Sequence, residues 1–100
     1  MGIIYKVIEK KIVNQLKPEV LIIKDVSHLH KGHIGISGKE LGETHFDLTI
    51  VSNKFINKSR IERQRILHKL LKEELNERIH ALSLNLSTVI EYKSNKIMDV

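Results

Sequence analysis

Apolar residues recur with helical spacing in two segments of the chain. In the first, residues 3–16, isoleucines recur every four positions, which predicts a helix with one apolar face. Pro18 ends this helix, because proline disfavours helical geometry at the residue before it. The second segment begins with Ser59-Arg-Ile-Glu62, which fits the capping box that marks a helix N-terminus. The apolar stripe that follows predicts one continuous helix to about Arg78.

Three other segments have the composition or the alternation of β-strands. Residues 19–26 are rich in branched apolar side chains, whereas residues 44–52 and 80–86 alternate apolar with polar positions. A turn at 53–58 separates the second strand from the long helix, and Asn57 within it is a candidate for a positive φ angle. The predicted order of elements is α-β-β-α-β, followed by a polar tail that we expect to form a short helix.

This order predicts an α+β fold in which helices pack on one face of a three-stranded mixed sheet. The first two strands can pair as an antiparallel hairpin around a long loop. The helix between strands two and three favours a parallel, right-handed crossover. One hundred residues support a single domain over 1–100 with one modest core. We expect residues 1–2 and about 93–100 to be frayed.

Composition narrows the classes of function. The chain has no cysteine, so it forms no disulfide and supplies no thiolate to a metal. Charges interrupt every apolar run before membrane-spanning length, and the first residues lack the apolar core of a signal peptide. We therefore expect a soluble, cytoplasmic protein with no membrane partner. There is no P-loop, no serine–histidine–acid trio and no suitably paired carboxylate, so we expect no enzymatic activity.

Histidine and glycine are concentrated between residues 25 and 46, in the segment DVSHLHKGHIGISGKELGETHF. It holds four of the six histidines and all but one of the five glycines. Parallel pairing of strands two and three would place His45 and His80 at the edge that also carries the loop histidines, His28, His30 and His33. Neutral imidazole is a common metal ligand, so the cluster indicates a metal site. The alternative is that these histidines are polar surface groups and loop caps.

Taken together, these segments resemble the BolA family over nearly the whole chain. Asp25-x-Ser27-x-x-His30 is similar to the family's D/N-E-S-x-x-H, and Glu43-Thr-His-Phe46 is similar to its E-S/T-H-F. Further similarity is found at Phe55-x-x-Lys-Ser59, Arg63-x-Arg65 and Ile79-His-Ala-Leu-Ser-Leu84. The chain departs from the pattern at Val26, which replaces a glutamate, and at Asn57, which replaces a glycine.

The resemblance implies a class II KH-like fold and pairing with a monothiol glutaredoxin. Such pairs share a 2Fe–2S cluster, to which the glutaredoxin contributes its cysteine and bound glutathione. The BolA protein contributes the histidine of strand three and a residue of the loop, which here are His80 and His30, with His33 as the alternate. His45 resembles a structural or supporting residue. The implied role is iron–sulfur cluster trafficking or iron and redox sensing. We expect no cofactor in the isolated chain, and a monomer or weak homodimer.

The competing interpretation is a DNA-binding transcriptional regulator, as some BolA proteins are described. The net charge of +5 would attract nucleic acid. The candidate basic patch lies at the start of the long helix and consists of Lys58, Arg60, Arg63, Arg65 and Lys69. Against it, four glutamates share this helix, and the patch lacks an aromatic stacking platform. The remaining alternative is a solvated face with i, i+4 pairs such as Lys69–Glu73.

Overall fold

The architecture is described from a computed structural model, which covers residues 2–26 and 45–98. Its elements follow the predicted order, with an additional short 3₁₀ helix at Asn53–Phe55 after the second strand. The helices and strands are α1 (Ile3–Leu16), β1 (Val20–Asp25), β2 (His45–Val51), α2 (Arg60–Leu70), α3 (Lys72–Glu77), β3 (Ala81–Ser87) and α4 (Val89–Met98). None of the helices in these ranges is both long and apolar enough to cross a membrane.

The sheet has β2 at its centre, in the order β1-β2-β3. β1 runs antiparallel to β2, with Val20 opposite Val51. β3 runs parallel to β2, with Ala81 opposite His45. The prediction of a three-stranded mixed sheet is therefore confirmed, and the starts of β2 and β3 lie at the same edge.

The core lies between one face of this sheet and the helices. β2 alternates as predicted, with Phe46, Leu48 and Ile50 buried and the intervening residues half-buried. The helices cover the buried side with residues that are themselves fully or almost fully buried: Ile8, Ile12 and Leu16 from α1, Leu67 from α2, and Leu71. Burial of each such side chain is worth roughly 1.5–3 kcal/mol, so the apolar periodicity accounts for how α1 and α2 attach to the sheet.

Two local predictions in the second half of the chain are confirmed. Ser59 Oγ accepts a hydrogen bond from Glu62 N at 3.1 Å, and Glu62 Oε1 accepts one from Ser59 N at 2.8 Å. This reciprocal pair is the capping box, and α2 begins directly after it at Arg60. Asn57 has a φ of 64°, in the left-handed region that asparagine tolerates better than most residues.

The prediction of one continuous helix from Ser59 to about Arg78 is wrong. The helix is interrupted at Leu71, whose φ of −104° and ψ of 21° separate α2 from α3. Hydrogen bonds nevertheless continue through the interruption, from Leu71 N to Leu67 O and from Leu75 N to Leu71 O, both at 2.9 Å. Leu71 stays fully buried, and Glu74 beyond it faces α1. Tertiary packing therefore overrides the local helical pattern at a site with neither glycine nor proline.

Candidate functional site

Two histidines meet at the sheet edge where β2 and β3 begin. His45 is the first residue of β2, and His80 immediately precedes β3. Their ring centroids are 6.2 Å apart, and the ring planes are inclined at 47°. The end of β1 reaches the same edge, because Val26 N donates a hydrogen bond to His45 O at 2.9 Å. The expectation that parallel pairing gathers these two histidines is confirmed.

The two imidazoles differ in accessibility. His80 is exposed, whereas His45 is half-buried. Over residues 2–26 and 45–98, no three side chains of histidine, cysteine, aspartate or glutamate converge on a common metal position. This part of the chain therefore offers an incomplete ligand set. Outside the described residues lie His28, His30 and His33, so their ligand roles stay predictions. The remaining histidine, His68, is exposed on α2.

An aspartate that sequence reasoning did not single out lies beside the histidine pair. Asp47 follows His45 by two positions, so the strand alternation places both on the sheet face away from the core. It pairs in register with Lys24 of β1 and with Ser83 of β3. Its Oδ1 atom is buried and accepts no hydrogen bond from any described residue. The i, i+2 spacing from a histidine on an alternating strand is the signal that could have identified it.

The basic patch contains one arginine that the fold already uses. The guanidinium of Arg63 donates to Lys58 O at 3.0 Å and to Leu86 O at 3.4 Å, and it pairs with both oxygens of Glu91. It also lies 5.8 Å from the centroid of the Phe55 ring. Only 12% of its side chain is exposed. Arg63 is therefore a structural link between α2, β3 and α4 rather than a free cation.

Glu91 is the counterion of this arginine. The hydrogen bond from Arg63 and that from the backbone N–H of Thr88 lower the pKa of Glu91 from its ordinary value of 4.5 to about 2. At the capping box of α2, hydrogen bonds from the backbone and side chain of Ser59 lower the pKa of Glu62. Arg63 and the backbone N–H of Thr88 thus hold Glu91 in the charged form, and Ser59 does the same for Glu62.

The four other basic residues are exposed, but they do not form one surface. Lys58 and Arg60 border an open cavity of about 420 Å³, which Arg63, Leu86, Ser87 and Glu91 also line. At 3.6 residues per turn, Arg65 and Lys69 lie about 140° and 180° around the helix from Arg60. The structure therefore divides the proposed patch into two exposed pairs on different sides of α2, with Arg63 engaged within the fold.

Comparison with known proteins gives consistent matches. The family model described as "BolA-like protein" matches residues 12–91. The chain is 41% identical over 85 residues to "Protein BOLA1, chloroplastic" of Arabidopsis thaliana, covering 85% of this chain and 53% of that protein. It is 41% identical over 91 residues to "DNA-binding transcriptional regulator BolA" of Haemophilus influenzae, covering 91% and 82%.

Solved structures agree in fold. The BolA domain of SufE1 from Arabidopsis thaliana superimposes with a TM-score of 0.79 at 40% identity, covering 91% of this chain and 98% of that one. The solution structure of mouse BolA1 superimposes with a TM-score of 0.78 at 31% identity, covering 96% of this chain and 73% of that one. The chain spans about half of the chloroplastic BOLA1 and 23% of the Arabidopsis SufE-like protein 1, so the similarity concerns one domain of these longer proteins.

Proposed function

This chain belongs to the BolA family, and we propose that it is the partner of a monothiol glutaredoxin with which it shares a 2Fe–2S cluster. In this proposal His80 is one ligand, and a loop histidine, His30 or alternatively His33, is the other. The protein acts as a binding partner rather than as an enzyme, in iron–sulfur cluster trafficking or in iron and redox sensing. The observation that carries the proposal is the exposed imidazole of His80 at a sheet edge, beside His45.

The side chains that could bind iron fit a cluster shared with a partner better than a cluster held by this chain alone. The chain has no cysteine, so it cannot supply the four thiolates of an ordinary 2Fe–2S site. An exposed imidazole at an edge can instead complete a site whose thiolates come from a partner. When bound, such a cluster supplies one-electron redox chemistry, at a potential that imidazole ligands raise relative to thiolates.

The roles of the two described histidines follow from their burial. His80 is accessible and is the residue that we assign to direct ligation. His45 is half-buried, and its backbone is fixed by pairing with Ala81 of β3 and by the hydrogen bond from Val26 N. We therefore assign His45 the role of packing beside His80 and limiting the positions that the His80 ring can take.

Reconstitution with a monothiol glutaredoxin tests this function. The two apo-proteins are mixed anaerobically with glutathione, iron and sulfide, and the products are separated by size-exclusion chromatography with detection of visible absorption. We expect a one-to-one cluster-bearing species with the wild type and with His68→Ala, which removes another exposed histidine. His80→Ala should lose that species while keeping the far-ultraviolet circular dichroism of a folded domain. An unfolded His80→Ala variant would instead make His80 a structural residue.

DNA binding is the second candidate, because the Haemophilus influenzae relative is named a DNA-binding transcriptional regulator. The exposed Lys58 and Arg60 beside their cavity favour contact with phosphate. The engagement of Arg63 with Glu91 and the separation of the exposed pairs around α2 argue against one continuous phosphate-binding surface. We therefore rank this function second.

The cytoplasmic location stays a prediction, since relatives named for chloroplasts and mitochondria are among the matches.

A further inference from the structure

Glu74 lies a few residues before His80 and links α1, α3 and the segment that leads into β3. Its carboxylate pairs with Lys11 of α1, and its backbone carbonyl accepts the two hydrogen bonds that end α3. We infer that Glu74 is a positioning residue for His80, which it holds at the sheet edge through its ion pair with Lys11. This inference rests on the proposed function, in which His80 is a cluster ligand.

The ion pair fixes α3 to α1. Lys11 Nζ lies 2.9 Å from both carboxylate oxygens of Glu74, and the two side chains are 31% and 10% exposed. Lys11 neighbours Ile12, which is fully buried against the sheet. The partner of Glu74 is therefore attached to a helix that the core already holds in place. Removal of one member of this partly buried pair leaves the other charge without its partner, so loss of either side chain should weaken the attachment of α3 to α1.

The backbone of Glu74 sets the path of the chain into His80. Its carbonyl oxygen accepts hydrogen bonds from Arg78 N and Ile79 N, both at 2.8 Å. Ile79 is 3% exposed and packs in the core, and β3 begins directly after His80. The last turn of α3 is thus tied to Glu74 at the point where the chain leaves the helix.

Two neighbours also constrain the backbone at His80, because Ile79 packs in the core and Ala81 pairs with His45. α3 has only six residues and follows the interruption at Leu71, so helix continuity alone does not fix its direction. The exposed His80 imidazole lies beside the ring of His45. The location of the imidazole therefore depends on the backbone that carries it, to which Glu74 contributes together with the burial of Ile79 and the pairing of Ala81.

The test compares Glu74→Gln, Lys11→Met and the double variant with the conservative variant Lys11→Arg. Each is titrated into a monothiol glutaredoxin that carries a glutathione-ligated 2Fe–2S cluster, and visible circular dichroism gives the half-saturation concentration. Amide ¹H–¹⁵N spectra and hydrogen exchange at Arg78, Ile79 and His80 report the backbone of the isolated variants. Glu91→Gln is the matched control, because it removes a different ion pair next to the opposite end of β3.

We expect Glu74→Gln and Lys11→Met each to raise the half-saturation concentration on the order of tenfold, as is typical when a residue that orients a metal ligand is lost. The half-saturation concentration of the double variant should be no higher than that of either single variant. Lys11→Arg should have a half-saturation concentration close to that of the wild type. Glu91→Gln should lower stability without changing the titration. Faster exchange at Ile79 and a displaced His80 amide signal should accompany the weaker titration in the Glu74 variant.

Two results would overturn the inference while leaving the proposed function intact. In one, Glu74→Gln titrates like the wild type although His80→Ala abolishes the signal. In the other, Glu91→Gln weakens the titration as much as Glu74→Gln, which would mean that only overall stability matters. A wild-type titration without any new spectrum would refute the proposed function, and this inference with it.

Discussion

Arg63 and Glu91 form a two-point ion pair that joins α2 to the start of α4. Arg63 Nη1 donates to Glu91 Oε1 at 2.6 Å, and Nη2 donates to Oε2 at 3.2 Å. Glu91 Oε1 also accepts a hydrogen bond from Thr88 N at 2.8 Å, while Thr88 Oγ1 accepts one from Glu91 N at 3.3 Å. One carboxylate therefore closes the capping box of α4 and holds that helix against α2.

Replacement of Glu91 by glutamine should lower the free energy of unfolding at pH 7 by on the order of 1 kcal/mol, the usual worth of a helix cap with an exposed ion pair. The effect is small because 48% of the Glu91 side chain is exposed and solvent screens its charge. Urea unfolding of Glu91→Gln against the wild type measures the difference. Glu73→Gln removes an exposed carboxylate of α3 and should change stability by no more than a few tenths of a kcal/mol.

The Glu91 contribution should also disappear in acid. The pKa of Glu91 is lowered from 4.5 to about 2 in the folded chain, so its stabilisation is present above pH 4.5 and is lost as the pH falls towards 2. The stability difference between wild type and Glu91→Gln should therefore shrink across this interval. A difference that stays constant down to pH 2 would show that the carboxylate charge is not its source.

Removal of the Ser52 hydroxyl should destabilise the junction between α1 and β2. Ser52 is fully buried, its Oγ donates to Leu16 O at 2.6 Å, and the same atom accepts from Lys54 N at 3.1 Å. Ser52→Ala leaves these two backbone groups without their partner, which typically costs about 1–3 kcal/mol. Ser83→Ala, at an exposed position of β3, is the control. Equal stability of the two variants would contradict this account.

The turn before α2 should tolerate glycine better than alanine. Asn57 has a φ of 64°, a region that costs an L-residue with a Cβ atom roughly 1–2 kcal/mol, whereas glycine enters it freely. Thermal unfolding should therefore rank Asn57→Gly near the wild type and Asn57→Ala clearly below both. If alanine is as stable as glycine here, the backbone at this position does not have a positive φ in solution.

The affinity of this protein for DNA should be weak and should fall steeply as the salt concentration rises. Lys58→Gln and Arg60→Gln should each reduce binding to random duplex at low salt and reduce the magnitude of the negative slope of log K against log salt by about 1. Arg63→Gln should act mainly by lowering stability, because its guanidinium is engaged with Glu91. Gel-shift titrations over a range of ionic strength measure these effects. A sequence-dependent complex that persists at physiological salt would instead favour the regulator function.

Features set by residues close in the chain were predictable from the sequence. The Ser59–Glu62 capping box, the positive φ of Asn57 and the strand alternation each depend on spacings of a few residues. The meeting of His45 and His80 was also predictable, because one parallel crossover fixes both strand starts at one edge. The capping box of α4 carries the same local signal, T-x-x-E at Thr88–Glu91, at the start of the short helix that the tail was expected to form.

Side-chain pairings between helices that are distant in the chain were not predictable. Glu74 is one of the four glutamates of the predicted long helix, where the pattern indicates a solvated face, yet only 10% of its side chain is exposed and it pairs with Lys11. Arg63 was counted among the free cations, yet it pairs with a residue beyond β3. Both pairings require helices to be placed first by the core, and the interruption at Leu71 has the same origin. One sequence provides no signal for such contacts.

The most direct test of the central claim is the optical titration of this protein into a monothiol glutaredoxin carrying its glutathione-ligated 2Fe–2S cluster. The wild type, His30→Ala, His33→Ala and His80→Ala are compared by visible absorption and circular dichroism. We predict a new spectrum at one-to-one stoichiometry that is lost with His80→Ala and with one of the two loop variants. An unchanged spectrum with the wild type would contradict the account, and it would place DNA binding first.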